Sequence, residues 1–144
     1  MTPQELKYLE TSLTTAPKEE LILRVYDALI MFARQAVDRL YNDPGDIQAI
    51  HNLLLRSQRA CVELISALDF EIGGELATNL NLVYAYWHRE LVRANMEQDP
   101  TRVEKILPDI QDYRKTWADA IKEWRKLQQP EEVSPAGNEF ASTA

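Results

Sequence analysis

The sequence predicts an all-α protein: an antiparallel, up-down four-helix bundle followed by a disordered C-terminal tail. Apolar residues recur every three or four positions through four long blocks of the 144-residue chain, which is the spacing of one helix face. Only four glycines and seven prolines interrupt the chain, and most of them lie between those blocks, as is typical of helices joined by short turns. No run alternates apolar and polar residues with a period of two, so no strand is predicted.

The first helix is predicted to start around Pro17 and to end near Tyr41. A proline is tolerated in the first turn of a helix, and Glu19 and Glu20 lie near the positive end of its dipole. The apolar positions at helical spacing are Ile22, Val25, Tyr26, Leu29, Ala33, Ala36, Val37 and Leu40.

The second helix follows an Asn-Asp-Pro-Gly turn, after which Asp46 is the predicted N-cap. It continues to about Leu68. The apolar positions of this helix are Ile47, Ile50, Leu54, Cys61, Leu64, Ile65 and Leu68. Residues 69–74 are predicted to break the helix, because the paired Gly73 and Gly74 permit backbone geometry that other residues resist.

The third helix is predicted from about Glu75 to Gln98, and the fourth begins at Asp99-Pro100, an N-cap followed by a first-turn proline. Pro108 is expected to kink or restart the fourth helix, because proline removes a hydrogen bond and clashes one turn back. The apolar positions of these two helices are Leu76, Leu80, Val83, Tyr84, Trp87, Leu91, Val103, Ile106, Leu107, Ile110, Tyr113, Trp117, Ile121 and Trp124.

The charge balance is acidic, with 16 basic and 23 acidic residues, a net charge of −7 and a pI near 4.9. Such a domain is a poor candidate for binding nucleic acid or an anionic membrane. The predicted organisation is a mobile N-terminal cap at 1–16, the bundle at 17–128 and an acidic tail at 129–144. The tail lacks lysine and arginine and is rich in Glu, Ser, Pro and Ala, which is typical of disorder.

The sequence contains no recognisable motif for a catalytic centre, a metal site or a cofactor site. A single cysteine, Cys61, excludes an internal disulfide and a multi-cysteine metal site, and it is expected in the core. His51 and His88 are preceded three residues earlier by Gln48 and Ala85, so neither completes the Glu-x-x-His pair of di-metal bundles. No Gly-x-Ser-x-Gly elbow and no phosphate-binding glycine loop occurs. A protein that is not an enzyme is therefore expected.

Signals for secretion or for membrane insertion are not recognised in the sequence. The N-terminus lacks a basic region followed by an apolar region, and no apolar run approaches the roughly 20 residues of a membrane span. A cytoplasmic protein is expected.

The helices carry more apolar residues than a core-facing stripe of about 100° needs. The additional residues are Leu21, Leu23, Ile30 and Met31 in the first helix, Leu53, Leu55, Ala60 and Val62 in the second, and Leu82, Tyr86 and Val92 in the third. They indicate either irregular core packing with ordinary exposed apolar residues or a groove for an amphipathic partner helix. Charged pairs such as Arg89-Glu90 are expected on a solvated face.

The approach to the third helix carries a specific motif. Residues 68–80 read LDFEIGGELATNL, and Tyr84-Ala85-Tyr86, Leu91 and Ala94-Asn95 follow. This series resembles the flagellin export chaperone family, FliS, in which the same elements occur in the same order. Further matches over about residues 8–125 are Tyr8, Thr15-Ala16, Leu21-Ile22, Tyr26-Asp27 and Trp117.

The chain departs from the family pattern at three places. Pro17-Lys18 stands where the family usually has Ser-Pro, and Ala28 stands where it has glycine. Arg89-Glu90 replaces a common basic pair, which bears on contacts of that face with other export components.

The resemblance implies a four-helix bundle with a short N-terminal segment packed on it. It also implies a cytoplasmic chaperone that binds the disordered C-terminal segment of new flagellin, prevents premature polymerisation and delivers it to the flagellar type III export apparatus. The expected partners are flagellin and components of the export gate, and the chain is expected to be a monomer or a weak homodimer.

The site residues expected under this reading fall into three groups. The flagellin groove is assigned to Ile50, Leu53, Leu54, Ala60, Leu64, Leu68, Leu80, Leu82, Tyr84 and Tyr86. Tyr8 and Leu9 are assigned to a displaceable N-terminal plug, and Gly73 and Gly74 to a structural turn. The alternative is a homo-oligomeric bundle that covers its apolar face with a second copy and has no affinity for flagellin.

Overall fold

Four long helices account for nearly all of residues 16–128, the part of the chain that the computed structural model describes. They are α1 (Ala16–Asn42), α2 (Ile47–Ser66), α3 (Phe70–Glu97) and α4 (Pro100–Gln128). No strand occurs within these residues. The predicted N-terminal plug, Tyr8 and Leu9, and the predicted tail at 129–144 lie outside the described residues.

The N-terminal ends of three helices are fixed by aspartate caps. The Asp46 carboxylate accepts a hydrogen bond from the backbone N–H of Ala49 at 3.2 Å, and Asp99 accepts one from Thr101 at 2.9 Å. These two caps were predicted. Asp69 caps α3 by accepting from the N–H groups at positions 71 and 72. Each cap satisfies donors that the first turn of a helix leaves unpaired.

The helices pack as an antiparallel square in which neighbours along the chain touch and α1 also touches α4. Long-range polar contacts show the direction of each pair. Asp27 of α1 pairs with Arg114 of α4, whereas Tyr41, later in α1, donates to Glu104, earlier in α4. Three short connections therefore produce the predicted up-down bundle.

The predicted break before α3 is wrong in its extent. Helical structure begins at Phe70, immediately after its cap, and only Gly74 departs from it, with φ of 51° and ψ of −121°. Gly73 donates its N–H to the Asp69 carbonyl at 2.8 Å and lies within the first helical turn. The cap explains the difference, because it satisfies the N–H groups of a short helical turn ahead of the glycine.

The fourth helix is continuous across Pro108. Pro108 was expected either to kink the helix or to restart it, and the helix does not restart there. The second helix ends at Ser66, two residues before the predicted end, and Ala67 forms its C-cap.

Aromatic side chains fill the centre of the bundle. Tyr26, Tyr84 and Trp87 are fully buried, and the hydroxyl groups of the two tyrosines hydrogen-bond at 2.8 Å across the square. The Trp87 ring lies edge-on to Tyr113, and its indole N–H donates to the Asp109 carboxylate at 3.1 Å. Burial, reinforced by Tyr84, raises the pKa of Tyr26 far above its usual value, so the Tyr26 hydroxyl stays neutral and adds no buried charge to the core.

The expectation that Arg89-Glu90 marks a solvated face is wrong for Glu90. Its side chain is only 5% exposed and accepts hydrogen bonds from Arg102 of α4 at 3.0 Å and from Arg93 at 3.4 Å. A buried carboxylate is tolerated only when it is paired in this way. This ion pair joins α3 to α4 near the α3–α4 connection.

Candidate functional site

Six of the ten residues assigned to the groove belong to the core. Each is at most 6% exposed, and their helical spacing faces them inward between the helices. They are Ile50, Leu54, Ala60, Leu64, Leu80 and Tyr84. Their burial supports the fold, so a partner that contacts the folded bundle meets their neighbours first.

The other four assigned residues reach the surface, but on different sides of the bundle. Leu53 lines a groove between α1 and α2. Leu68 is half-buried in the connection between α2 and α3. Leu82 is 64% exposed on α3, and Tyr86 lies one turn further along, with the Arg89 guanidinium 5.9 Å from its ring centroid. The structure therefore brings Leu82 and Tyr86 together and separates them from Leu53.

A second set of apolar residues lies on the side of α2 that faces α3. His51 marks this side, because its Nδ1 hydrogen-bonds the Asn95 side-chain amide of α3 at 2.9 Å. Leu55 and Val62 follow four and eleven residues later, and such spacings fall on the same helix face. Val62 is 48% exposed and Leu55 is half-buried.

The outer side of α3 continues this apolar surface. Residues 82, 85, 92 and 96 are separated by three, seven and four positions, so they form one stripe along the helix. Leu82 is 64% exposed and Met96 is 78% exposed, while Ala85 and Val92 are half-buried. We call the surface formed by these residues the α2–α3 face; its members are Leu55, Val62, Leu82, Ala85, Val92 and Met96.

The chemistry of the α2–α3 face suits the apolar side of a helix. The charged side chains that border it are basic: Arg89 lies on the α3 stripe between Ala85 and Val92, and Arg59 lies one helical turn from Leu55 and from Val62. Large exposed apolar residues on neighbouring helices are typical of a protein-binding surface, and helices are recognised by anchors at i, i+3, i+4 and i+7.

Comparison with known proteins identifies the family. A family model described as flagellar protein FliS matches residues 1–124. The chain belongs to the FliS family. Among FliS proteins, the flagellar secretion chaperone FliS of Bacillus subtilis (strain 168) is 31% identical over 119 residues, which cover 83% of this chain and 86% of that protein. The flagellar secretion chaperone FliS of Salmonella typhimurium is 29% identical over 110 residues, or 76% and 80% of the two chains.

A third FliS relative, the flagellar secretion chaperone of Campylobacter jejuni, is 27% identical over 99 residues, or 69% of this chain and 76% of that protein. These matches confirm the resemblance inferred from the 68–80 motif. The names of these relatives describe chaperones of flagellar secretion.

Two absences among residues 16–128 bear on the site. No group of three or more histidine, cysteine or acidic residues within them is arranged to hold a metal ion. Among the same residues, no helix is both long and apolar enough to cross a bilayer.

The residues of the α2–α3 face that were not assigned to the groove carry a recognisable signal. Leu55 follows the fully buried Leu54 by one position, which is about 100° around a helix, so it cannot share the core direction. Val62 stands in the same relation to the buried Cys61. Met96 was missed altogether, because near the end of a predicted helix an isolated methionine reads as an ordinary exposed residue.

Proposed function

We propose that this protein is a cytoplasmic export chaperone that binds the disordered C-terminal segment of new flagellin on the α2–α3 face. In this role it prevents premature polymerisation and delivers the subunit to the flagellar type III export apparatus. Membership of the FliS family supports the role. The exposed apolar surface at Leu82 and Met96 is the observation that supports the place.

The physical basis is coupled folding and binding. A client segment that buries too little apolar surface on its own stays disordered and orders on contact with the chaperone. Such complexes bury about 1,000–3,000 Å², and part of the gain is spent on ordering the segment. Leu82 and Met96 are the most exposed residues of the α2–α3 face, so they have the most apolar surface left to bury against a client.

Calorimetry with a synthetic peptide from the cognate flagellin C-terminus tests the proposal. We expect submicromolar binding with a negative heat-capacity change, the marker of apolar burial, and increased helicity by circular dichroism. Leu82→Glu and Met96→Glu each place a charge in the proposed contact. We expect each to weaken binding at least about tenfold, because an unpaired charge there must be desolvated.

Met31→Glu is the matched control. Met31 is 46% exposed on α1, four residues from Asp27, which pairs with α4, so it lies away from the α2–α3 face. We expect this variant to bind within about twofold of the parent, since distant surface sites act independently. Unchanged binding by both face variants would move the site elsewhere, and no binding by the folded parent would refute the role for that client.

Self-association is the second candidate function, because a second copy would also cover the α2–α3 face. Sedimentation of the same samples separates the two. A stable dimer that dissociates in Leu82→Glu, together with no flagellin binding by the parent, would support the homo-oligomer.

A further inference from the structure

The opposite side of α2 carries a groove of different chemistry. Between α1 and α2 lies an opening of about 650 Å³, lined by residues 34–39 of α1 and 49–56 of α2. A smaller opening of about 200 Å³ continues it toward residues 25–32 and 59–63. Arg56 lines both openings, so they adjoin along the two helices. We call them together the α1–α2 groove.

Positive charge is concentrated along this groove, although the whole chain is acidic. Arg34, Arg39, Arg56 and Arg59 line it, against two carboxylates, Asp38 and Glu63. Arg39 is already paired with carboxylates in the turn after α1. Arg34, Arg56 and Arg59 form no ion pair with the side chains described for residues 20–128.

The floor of the groove is apolar. Leu53 and Phe32 line it, and both are half-buried. The Arg56 guanidinium lies 5.6 Å from the centre of the Phe32 ring, which holds that cation at the rim. An apolar floor between cationic rims complements a helix that has apolar residues on one side and carboxylates along its flanks.

We propose that the α1–α2 groove binds an acidic amphipathic helical segment of a second protein partner. Its apolar side contacts Phe32 and Leu53, and its carboxylates pair with Arg34, Arg56 and Arg59. Charge complementarity carries this choice of occupant, because the three arginines lack counterions among the described residues. The proposal does not require flagellin binding. Leu53 and Arg56 lie on the side of α2 away from His51, whereas Arg59, one helical turn from both Leu55 and Val62, borders the groove and the α2–α3 face.

A nucleic acid is the competing polyanion, and the apolar floor of the groove disfavours it. The Phe32 and Leu53 floor offers apolar contact that a phosphate backbone cannot use.

Fluorescence anisotropy on the full chain tests the proposal with a designed peptide of about 20 residues, long enough for an amphipathic helix. Leucines lie along one side of the peptide and glutamates along its flanks; in a control peptide every glutamate is replaced by glutamine. We expect the acidic peptide to bind at least about tenfold more tightly than the control, and its affinity to fall between about 0.05 and 0.5 M salt.

Variants of the chain locate the binding. A variant that combines Arg34→Gln, Arg56→Gln and Arg59→Gln should bind the acidic peptide about tenfold or more weakly, because each of the three lost ion pairs contributes a small factor to the affinity. The matched control replaces three exposed lysines of α4, which does not pack against α2; they are Lys105, Lys115 and Lys122. It makes the same change in net charge and should leave binding within about twofold.

Three outcomes would overturn the proposal. One is equal binding of the acidic and the neutral peptide. Another is equal weakening by the groove variant and the lysine control, which would show a general charge effect. The third is equal or tighter binding of a single-stranded oligonucleotide through the same arginines. Circular dichroism of each variant confirms that the fold is retained.

Discussion

Replacing Gly74 by alanine should destabilise the bundle through backbone strain alone. Gly74 has φ of 51° and ψ of −121°, a conformation close to the first central position of a type II′ turn, where glycine is strongly preferred. A Cβ built at this position meets no atom within 4 Å, so steric overlap contributes nothing. Holding a non-glycine residue in such a conformation costs about 1–3 kcal/mol.

Part of this strain is offset, because alanine restricts the unfolded chain more than glycine does, by about 0.4–1 kcal/mol. The net expectation for Gly74→Ala is a loss of about 1.3 kcal/mol in the free energy of unfolding, the difference between the midpoints of the two ranges. Gly45→Ala is the matched control, since a Cβ there also meets nothing within 4 Å and its φ is not positive. That variant should change stability by less than about 0.5 kcal/mol or increase it slightly.

Urea unfolding followed by circular dichroism measures both variants. Gly74→Ala should lower the transition midpoint with an unchanged m-value, which reports a change in stability rather than in the surface exposed. Equal midpoints for Gly74→Ala and Gly45→Ala would refute the reasoning, because a Cβ meets nothing at either site and only Gly74 has a positive φ.

Three other perturbations have expected outcomes. Arg102→Gln leaves the buried Glu90 with only its more distant partner, Arg93, and should lower the free energy of unfolding in urea by about 1–3 kcal/mol. Arg114→Gln, in an exposed ion pair, should lower it by less than about 1 kcal/mol. Equal losses in the two variants would contradict this. Burial raises the pKa of Cys61 to about 12, so a disulfide reagent at about pH 8 should react with this thiol only after unfolding; rapid reaction of the folded chain would contradict its burial. Hydrogen bonds from Thr101 lower the pKa of Asp99. The contribution of Asp99 to the free energy of unfolding is therefore fully present above the ordinary pKa of a carboxyl group, and it is lost as the pH falls through the lowered pKa. The stability difference between the parent and Asp99→Ala should therefore shrink below about pH 4, and a constant difference would contradict this sign.

The fold was predictable because its determinants are local. The apolar spacing of each helix and the aspartates before α2 and α4 act within a few residues, so the sequence alone locates both caps. The start of α3 was misplaced because two local signals compete there. Asp69 favours a helical turn, whereas the glycine pair favours a break, and the structure satisfies both by confining the break to Gly74.

The candidate site was less predictable, since it depends on which side of each helix faces a neighbour. Leu54 and Leu55 are equally apolar, yet Leu54 is fully buried and Leu55 only partly buried. The difference depends on how α2 packs against α1 and α3. Glu90 illustrates the same limit. Its burial depends on Arg102, twelve residues away on the next helix, which no periodicity within α3 reveals.

The two proposed surfaces lie on different sides of α2 and meet only at Arg59, one helical turn from Leu55 and Val62. On the core side, the buried Leu54 and Cys61 lie between them, and sites that share no partner act independently. A combined Arg34→Gln and Arg56→Gln variant, which leaves Arg59 in place, should therefore change the affinity for the flagellin peptide by no more than about twofold, and Leu82→Glu should leave binding of the acidic peptide equally unaffected. A larger loss of flagellin binding in the arginine variant would show that one client wraps across both sides of α2. In that case the groove would belong to the flagellin site and not to a second partner.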